Sequence, residues 1–177
     1  GDYIYVAGTF LSTANFSGTL KKSHGFDDIF IAKYSASGSL IWVESAGGAS
    51  QDIVHSLAAD NEGNVYITGS FQRTASFAHK TLTAGNSTEM YVAKYNPDGK
   101  LLWAKQGSNE MGGIGRNIRC QENHCLIAGE YHGTTGTQDK IVLTTIQQED
   151  GTVVDNKVVF SQPNISVNDF ITEKGNV

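Results

Sequence analysis

The chain has 177 residues, a net charge of −5 and only 18% charged residues. With 39% hydrophobic and 10% aromatic residues it can build a core, which excludes the low-hydrophobicity, high-charge composition of a disordered chain. The acidic balance without a basic stripe argues against nucleic acid as a partner, and no apolar run approaches the roughly 20 residues of a membrane-spanning helix.

Taken in chain order, the sequence reads as short strands separated by turns. Ile4-Tyr5-Val6-Ala7-Gly8 opens it, after a start at Gly1 rather than Met that marks a processed or excised piece. Phe30-Ile31-Ala32-Lys33-Tyr34 and Ser39-Leu40-Ile41-Trp42 follow. Residues 53–59 form a further strand, then Asp60-Asn61-Glu62-Gly63-Asn64 makes a turn rich in residues that tolerate positive φ. A strand at 65–71 comes next. Residues 72–88 are polar and read as a long loop, with room for a minor strand near Phe77 or Leu82. Residues 90–95 are apolar on both sides of the strand, as in a sheet covered on both faces. Asn96-Pro97-Asp98-Gly99 carries the residues of a type I turn, and 101–105 form the last strand of the unit. No amphipathic helical period interrupts this pattern.

The strands repeat. Tyr91-Val92-Ala93-Lys94-Tyr95, Lys100-Leu101-Leu102-Trp103 and Val65-Tyr66-Ile67-Thr68-Gly69 each lie sixty-one positions after their first copies. A degraded third copy runs through Leu126-Ile127-Ala128-Gly129, 141–146 and the turn Asp150-Gly151, without the Lys-Tyr pair or the Trp. Gly175-Asn176-Val177 echoes Gly63-Asn64-Val65. The chain therefore holds three repeats, approximately 1–62, 63–123 and 124–177, each expected to supply four antiparallel strands. Such a unit is the blade of a β-propeller. A ring normally needs four to eight blades, so the fold expected is all-β, three four-stranded blades forming part of a larger or oligomer-completed ring. Self-association through unpaired blade edges follows from that expectation.

The order Ala-Lys-Tyr, a turn ending in Gly, Leu-Ile/Leu-Trp, Gly47-Gly48, Asp52, Asp60 and then Gly63 to Gly69 resembles the bacterial seven-bladed β-propeller repeat, called SBBP. The resemblance is strongest over residues 28–71 and weakens after Ile114. It implies a secreted or cell-surface bacterial protein, no cofactor and no reaction, with the repeated residues structural.

Chemistry-bearing residues are sparse. Cys120 and Cys125 flank a four-residue turn and replace Ala59 and Val65 on facing strands. Either a disulfide staples that hairpin or two thiols are buried there; zinc lacks further ligands at recognisable spacing. Gly47-Gly48 and Gly112-Gly113 each precede a strand, so they read as tight crossings rather than phosphate cradles, which need a following helix. His24 and His79 fall in loops, and His55 enters a strand and is expected to be partly buried. The loops at one end of the units offer Gln51, Asp52, His55, Glu110, Arg116 and Asn117 as candidate ligand-binding residues, with Asp52 equally suited to capping its loop. No carboxylate pair or nucleophile set converges, and no metal site is legible. The expected function is a non-enzymatic binding or adhesion module for a protein or carbohydrate ligand. The alternatives are a polysaccharide-acting propeller enzyme and an architectural spacer.

Overall fold

A computed structural model describes residues 2–107, 113–132 and 138–170. Within them there is no helix, only thirteen strands in antiparallel sheets. The first sheet has the order β1-β4-β5, from Tyr3–Phe10, Asp28–Ser35 and Leu40–Ala46, with β2 (Thr13–Phe16) and β3 (Thr19–Lys22) forming a separate hairpin. The second is β6-β7-β8-β9, from Asp52–Ala59, Val65–Phe77, Lys80–Tyr95 and Leu101–Gln106. The third is β10-β11-β12-β13, from Ile114–Gln121, His124–Tyr131, Lys140–Gln147 and Val153–Ser161.

Two expectations are corrected. The first sheet has three strands rather than four. Its β1 matches β7 and β11 in sequence, so the sheet has no counterpart of β6 or β10. The polar stretch 72–88 is a continuation of two strands rather than a long loop, and the minor strand expected near Phe77 or Leu82 is part of it. β7 and β8 run past the sheet as a ribbon to Phe77 and Lys80, with a register shift between Gln72 and Thr74. The cause is visible in the residues. Ala75, Phe77, Leu82 and Ala84 alternate with polar neighbours and are all buried in the core shared with the first sheet. The ribbon also bonds to the crossing loop, where Gly47 and Ser76 exchange N–H···O bonds of 3.1 and 2.9 Å. Gly48 is required beside it, since a Cβ there would run into the Thr74 carbonyl.

The apolar-on-both-sides strand is explained by the stacking. Tyr91, Ala93 and Tyr95 pack with Ile29, Ile31 and Ala46 of the first sheet. Met90 and Val92, pointing the other way, pack with Ile118, Ile127 and Ile146 of the third. The second sheet is thus covered on both faces.

The two interfaces share one joint. Tyr5, Lys33 and Trp42 stand opposite one another across the first sheet, and Tyr66, Lys94 and Trp103 do so across the second. Lys33 Nζ and Trp42 Nε1 both donate to the Pro97 carbonyl at 2.9 Å. Lys94 Nζ and Trp103 Nε1 donate to the Gln148 carbonyl at 2.9 and 3.3 Å. Each acceptor lies in the last turn of the following sheet. The glycine of that turn, Gly99 or Gly151, has positive φ and lies flat under the indole, where a Cβ would come within 2.8 or 2.9 Å of the ring. The ammonium groups also sit over tyrosine faces, Lys33 over Tyr3 at 4.0 Å and Lys94 over Tyr66 at 5.2 Å. In the third sheet the matching positions are Leu126, Thr145 and Asp155, and no such joint forms.

The outer strand of the third sheet carries apolar surface. Val154, Val158 and Phe160 of β13 are more than half exposed, as is Tyr3 at the other end of the stack. Both β1 and β13 are sheet edges with free backbone groups. The isolated chain is expected to associate, giving a sedimentation-equilibrium mass above that of one chain at high concentration. A strictly monomeric mass would contradict it.

Cys120 and Cys125 pair directly across β10 and β11 and are joined as a disulfide, with Cα atoms 4.0 Å apart.

Candidate functional site

The site grows out of two β-bulges. In β6 the register shifts between Val54 and Ser56, leaving His55 without a ladder partner. In β10 it shifts between Gly115 and Asn117, leaving Arg116 out in the same way. The two bulges occupy equivalent positions in consecutive repeats, and β10 packs against β6 and β7. Bulges re-aim a side chain without disturbing the rest of the strand. His55 is accordingly turned outward, although its ring still loses part of its water.

Arg116 turns toward Glu130 of β11. Its Nε and Nη2 both lie 2.7 Å from Glu130 Oε2. The other carboxylate oxygen accepts the backbone N–H of Val167 at 2.7 Å. His132 Nε2 stands 3.6 Å from Oε2, and its Nδ1 is 3.7 Å from Asp139. Glu130 is only 1% exposed, so its charge is compensated almost wholly by these neighbours. His55, Arg116 and Glu130 line a cleft of about 340 Å³ with Ser166, Val167 and Asn168. Partial loss of water around the His55 ring, and then the nearby Arg116 charge, pull its pKa below the usual value, while Glu130 opposes them. His55 is therefore held toward its neutral form, able to accept or donate one hydrogen bond.

The C-terminal segment closes one side of this cleft. Asn117 Nδ2 and Arg119 Nη2 both donate to Asp169 Oδ1, at 2.7 and 2.8 Å, and Arg119 faces the Phe170 ring.

Of the candidates read from the sequence, His55 and Arg116 share the cleft, and Asn117 binds the segment beside it. Gln51 lies elsewhere. It donates to Asp27 at 3.0 Å and lines a shallow cleft of about 600 Å³ with Phe26, Ala49, Ser50, Gln72 and Arg73. Asp52 is buried and accepts the Gly48 N–H at 2.7 Å. Glu110 lies outside the described residues. Glu130 was missed, although the repeat marks it. Thr9 and Ser70 hold the equivalent place in the other copies, so a carboxylate there is a departure from the pattern.

A wider cleft of about 850 Å³ separates the turns of the second and third sheets, with Asp60, Glu62, Glu122 and Glu149 around it. Asp60 is occupied by its own turn, accepting from the N–H groups of Glu62 and Asn64, from Asn64 Nδ2 and from Tyr66 Oη. Hydrogen bonding to these four donors outweighs burial and holds its pKa below the ordinary value, although burial is the largest single influence. Among the described residues, no group of three or more His, Cys, Asp or Glu is placed to hold a metal ion.

A β-propeller repeat model, SBBP, matches residues 41–70, from the Trp42 strand through the crossing loop to the end of the Val-Tyr-Ile-Thr-Gly strand. The chain carries a repeat of that family. The matched segment contains Trp42 of the joint, the Gly47-Gly48 crossing and the bulge at His55. The chain is also similar to an uncharacterized WD repeat-containing protein of Acanthamoeba polyphaga mimivirus. The two are 26% identical over 142 residues, covering 72% of this chain and 10% of the relative. The chain thus spans about a tenth of the length of the curated relative it matches. No helix among the described residues is long and apolar enough to cross a membrane.

Proposed function

We propose that the three sheets are blades of a larger β-propeller ring and that the chain is a non-catalytic binding module of a secreted or cell-surface bacterial protein. The observation that carries the binding role is the pair of equivalent bulges. A single scaffold position, repeated from blade to blade, presents His55 in one copy and Arg116 in the next. A rigid repeat that varies its side chains where they leave the ladder is suited to recognition. Glu130 speaks for binding rather than turnover. Its oxygens are taken up by Arg116 and the Val167 amide, so Glu130 is not a free carboxylate facing His55 for acid–base work. The relative's WD repeats favour a protein ligand, and the polar cleft accommodates a carbohydrate equally well.

The test is to probe the full chain against an array of defined saccharides and an array of peptides. Specific hits that weaken at least tenfold in H55A are the expected result. Turnover of an arrayed polysaccharide would replace the proposal with an enzyme, and silence on both arrays would leave an architectural spacer as the better reading.

A further inference from the structure

The crossing from the first sheet to the second passes between two buried carboxyl groups that the binding cleft does not use. Asp28 opens β4 and Asp52 opens β6, and both are 0% exposed. Asp28 Oδ2 accepts the His24 backbone N–H at 3.1 Å and faces the His24 ring Nδ1 at 2.9 Å. Asp52 Oδ2 accepts the Gly48 N–H at 2.7 Å. In each residue Oδ1 is buried without a hydrogen-bond partner. The two groups bear on consecutive residues. Gly47 leans on the Asp28 carboxyl, where a Cβ would lie 2.5 Å from Cγ, and Gly48 donates to Asp52. The backbone closes the arrangement, with Asp52 N–H donating to the Asp27 carbonyl at 2.8 Å.

Two ionised carboxylates in this setting would each bury an unsatisfied oxygen and repel one another. One proton relieves both costs, because it removes a charge and adds a donor. Neither carboxyl lines any of the clefts described above.

We propose that the Asp28–Asp52 pair retains one proton in the folded joint, and that losing it unlatches the Gly47-Gly48 crossing between the first two sheets.

The surrounding groups agree with Asp52 as the proton's seat. Burial is the main influence raising its pKa, from 3.8 to about 7. The Gly48 and Gln72 amides pull it down and the Asp28 charge pushes it up. From the second sheet, the phenol of Tyr91 is fully buried without a partner. Its pKa is raised well above the ordinary value by burial, then by Tyr95 and the charge of Asp52. Glu89 stands in register with Phe71, itself opposite Asp52, and Arg73 follows two residues on. From the first sheet, His24 and Asp27 are the titratable neighbours, the latter already bonded by Gln51.

The direction of the pH effect follows from the raised pKa. The folded state holds this proton more tightly than the unfolded chain. The stabilisation is complete below about pH 4 and is lost as pH rises through about 7. Across that window the contribution of Asp52 to the folding constant should fall on the order of a thousandfold.

Carboxyl-carbon NMR titration of the full chain is the direct test, combined with urea unfolding and amide exchange at pH 5 and pH 8. The proposal expects Asp52 to titrate near neutral pH and the Gly48 amide to lose protection as the proton leaves. In D52N the stability difference between pH 5 and pH 8 should shrink by about one hundredfold in folding constant, the part of the window those two pH values span. D28N should lower the Asp52 titration, which keeps the idea testable if D52N does not fold. An Asp52 carbon titrating near pH 4, or an unchanged pH slope in D52N, would overturn it. So would calcium chloride stabilising the wild type but not D52N at pH 8, which would make the occupant a cation.

Discussion

Arg116→Met is expected to lower the unfolding free energy by about 3 kcal/mol, because it strands a buried carboxylate rather than removing a surface charge. Methionine keeps the length and apolar stem of arginine, so packing changes little. What disappears is the pair of 2.7 Å contacts on Glu130 Oε2. Glu130 would be left with the Val167 N–H and a histidine 3.6 Å away. The double variant R116M/E130Q should recover most of the loss, since replacing a buried pair altogether is often near neutral while breaking it is not. Urea unfolding of the three variants at pH 7 checks this. A loss below about 0.5 kcal/mol in R116M, the range of an ordinary surface change, would mean that water reaches Glu130 and that the cleft is not the desolvated site described.

Trp42→Ala and Trp103→Ala are expected to cost about 3 kcal/mol each, at the lower end for a truncated core tryptophan because both rings are only partly buried. Each loses an indole packed on a tyrosine at 6.1 Å between ring centres and on a turn glycine, together with a hydrogen bond to that turn. Near-equality of the two losses is the sharper part of the prediction. In both joints lysine and indole converge on one carbonyl of the following turn. They share no partner, so the double variant should be additive within about 0.5 kcal/mol. Trp42→Phe should cost only about 1 kcal/mol, because Lys33 still satisfies the Pro97 carbonyl. Chemical unfolding monitored by circular dichroism measures all four. Strongly unequal single losses would show that the two interfaces are not equivalent.

These two experiments bear on different levels of the molecule, and they differ in how far each was legible beforehand. The tryptophans stood out as repeated residues at a constant offset, and their equivalent surroundings follow from that repetition. Glu130 did not stand out, because a single glutamate after Ala-Gly carries no local pattern. Its role depends on a bulge that frees Arg116 from the ladder. Bulges are set by how two strands meet, and neither strand announces one by itself. The same limit explains His55, whose outward turn depends on the extra residue in its strand.

The long ribbon shows the other kind of miss. Residues 72–88 are dominated by Thr, Ser, Gln and Asn, and composition favours a loop. Yet Ala75, Phe77, Leu82 and Ala84 keep a strict alternation, and small apolar residues suffice because the neighbouring sheet brings the rest of the core. The apolar face is too weak to specify a strand in isolation and sufficient once the first sheet covers it.

By itself the amino-acid sequence determined the repeat, the strand character of its segments, the turns and the equivalence of Trp42 with Trp103. These depend on local periodicity, turn chemistry and a constant spacing. Only the tertiary structure decided where β7 and β8 end, how many strands the first sheet contains, and which side chains share the cleft. It also decided that Asp28 and Asp52, twenty-four positions apart, grip the same pair of glycines. Those outcomes are fixed by which sheet covers which face, and that covering removes water from groups whose neighbours in sequence give no sign of it.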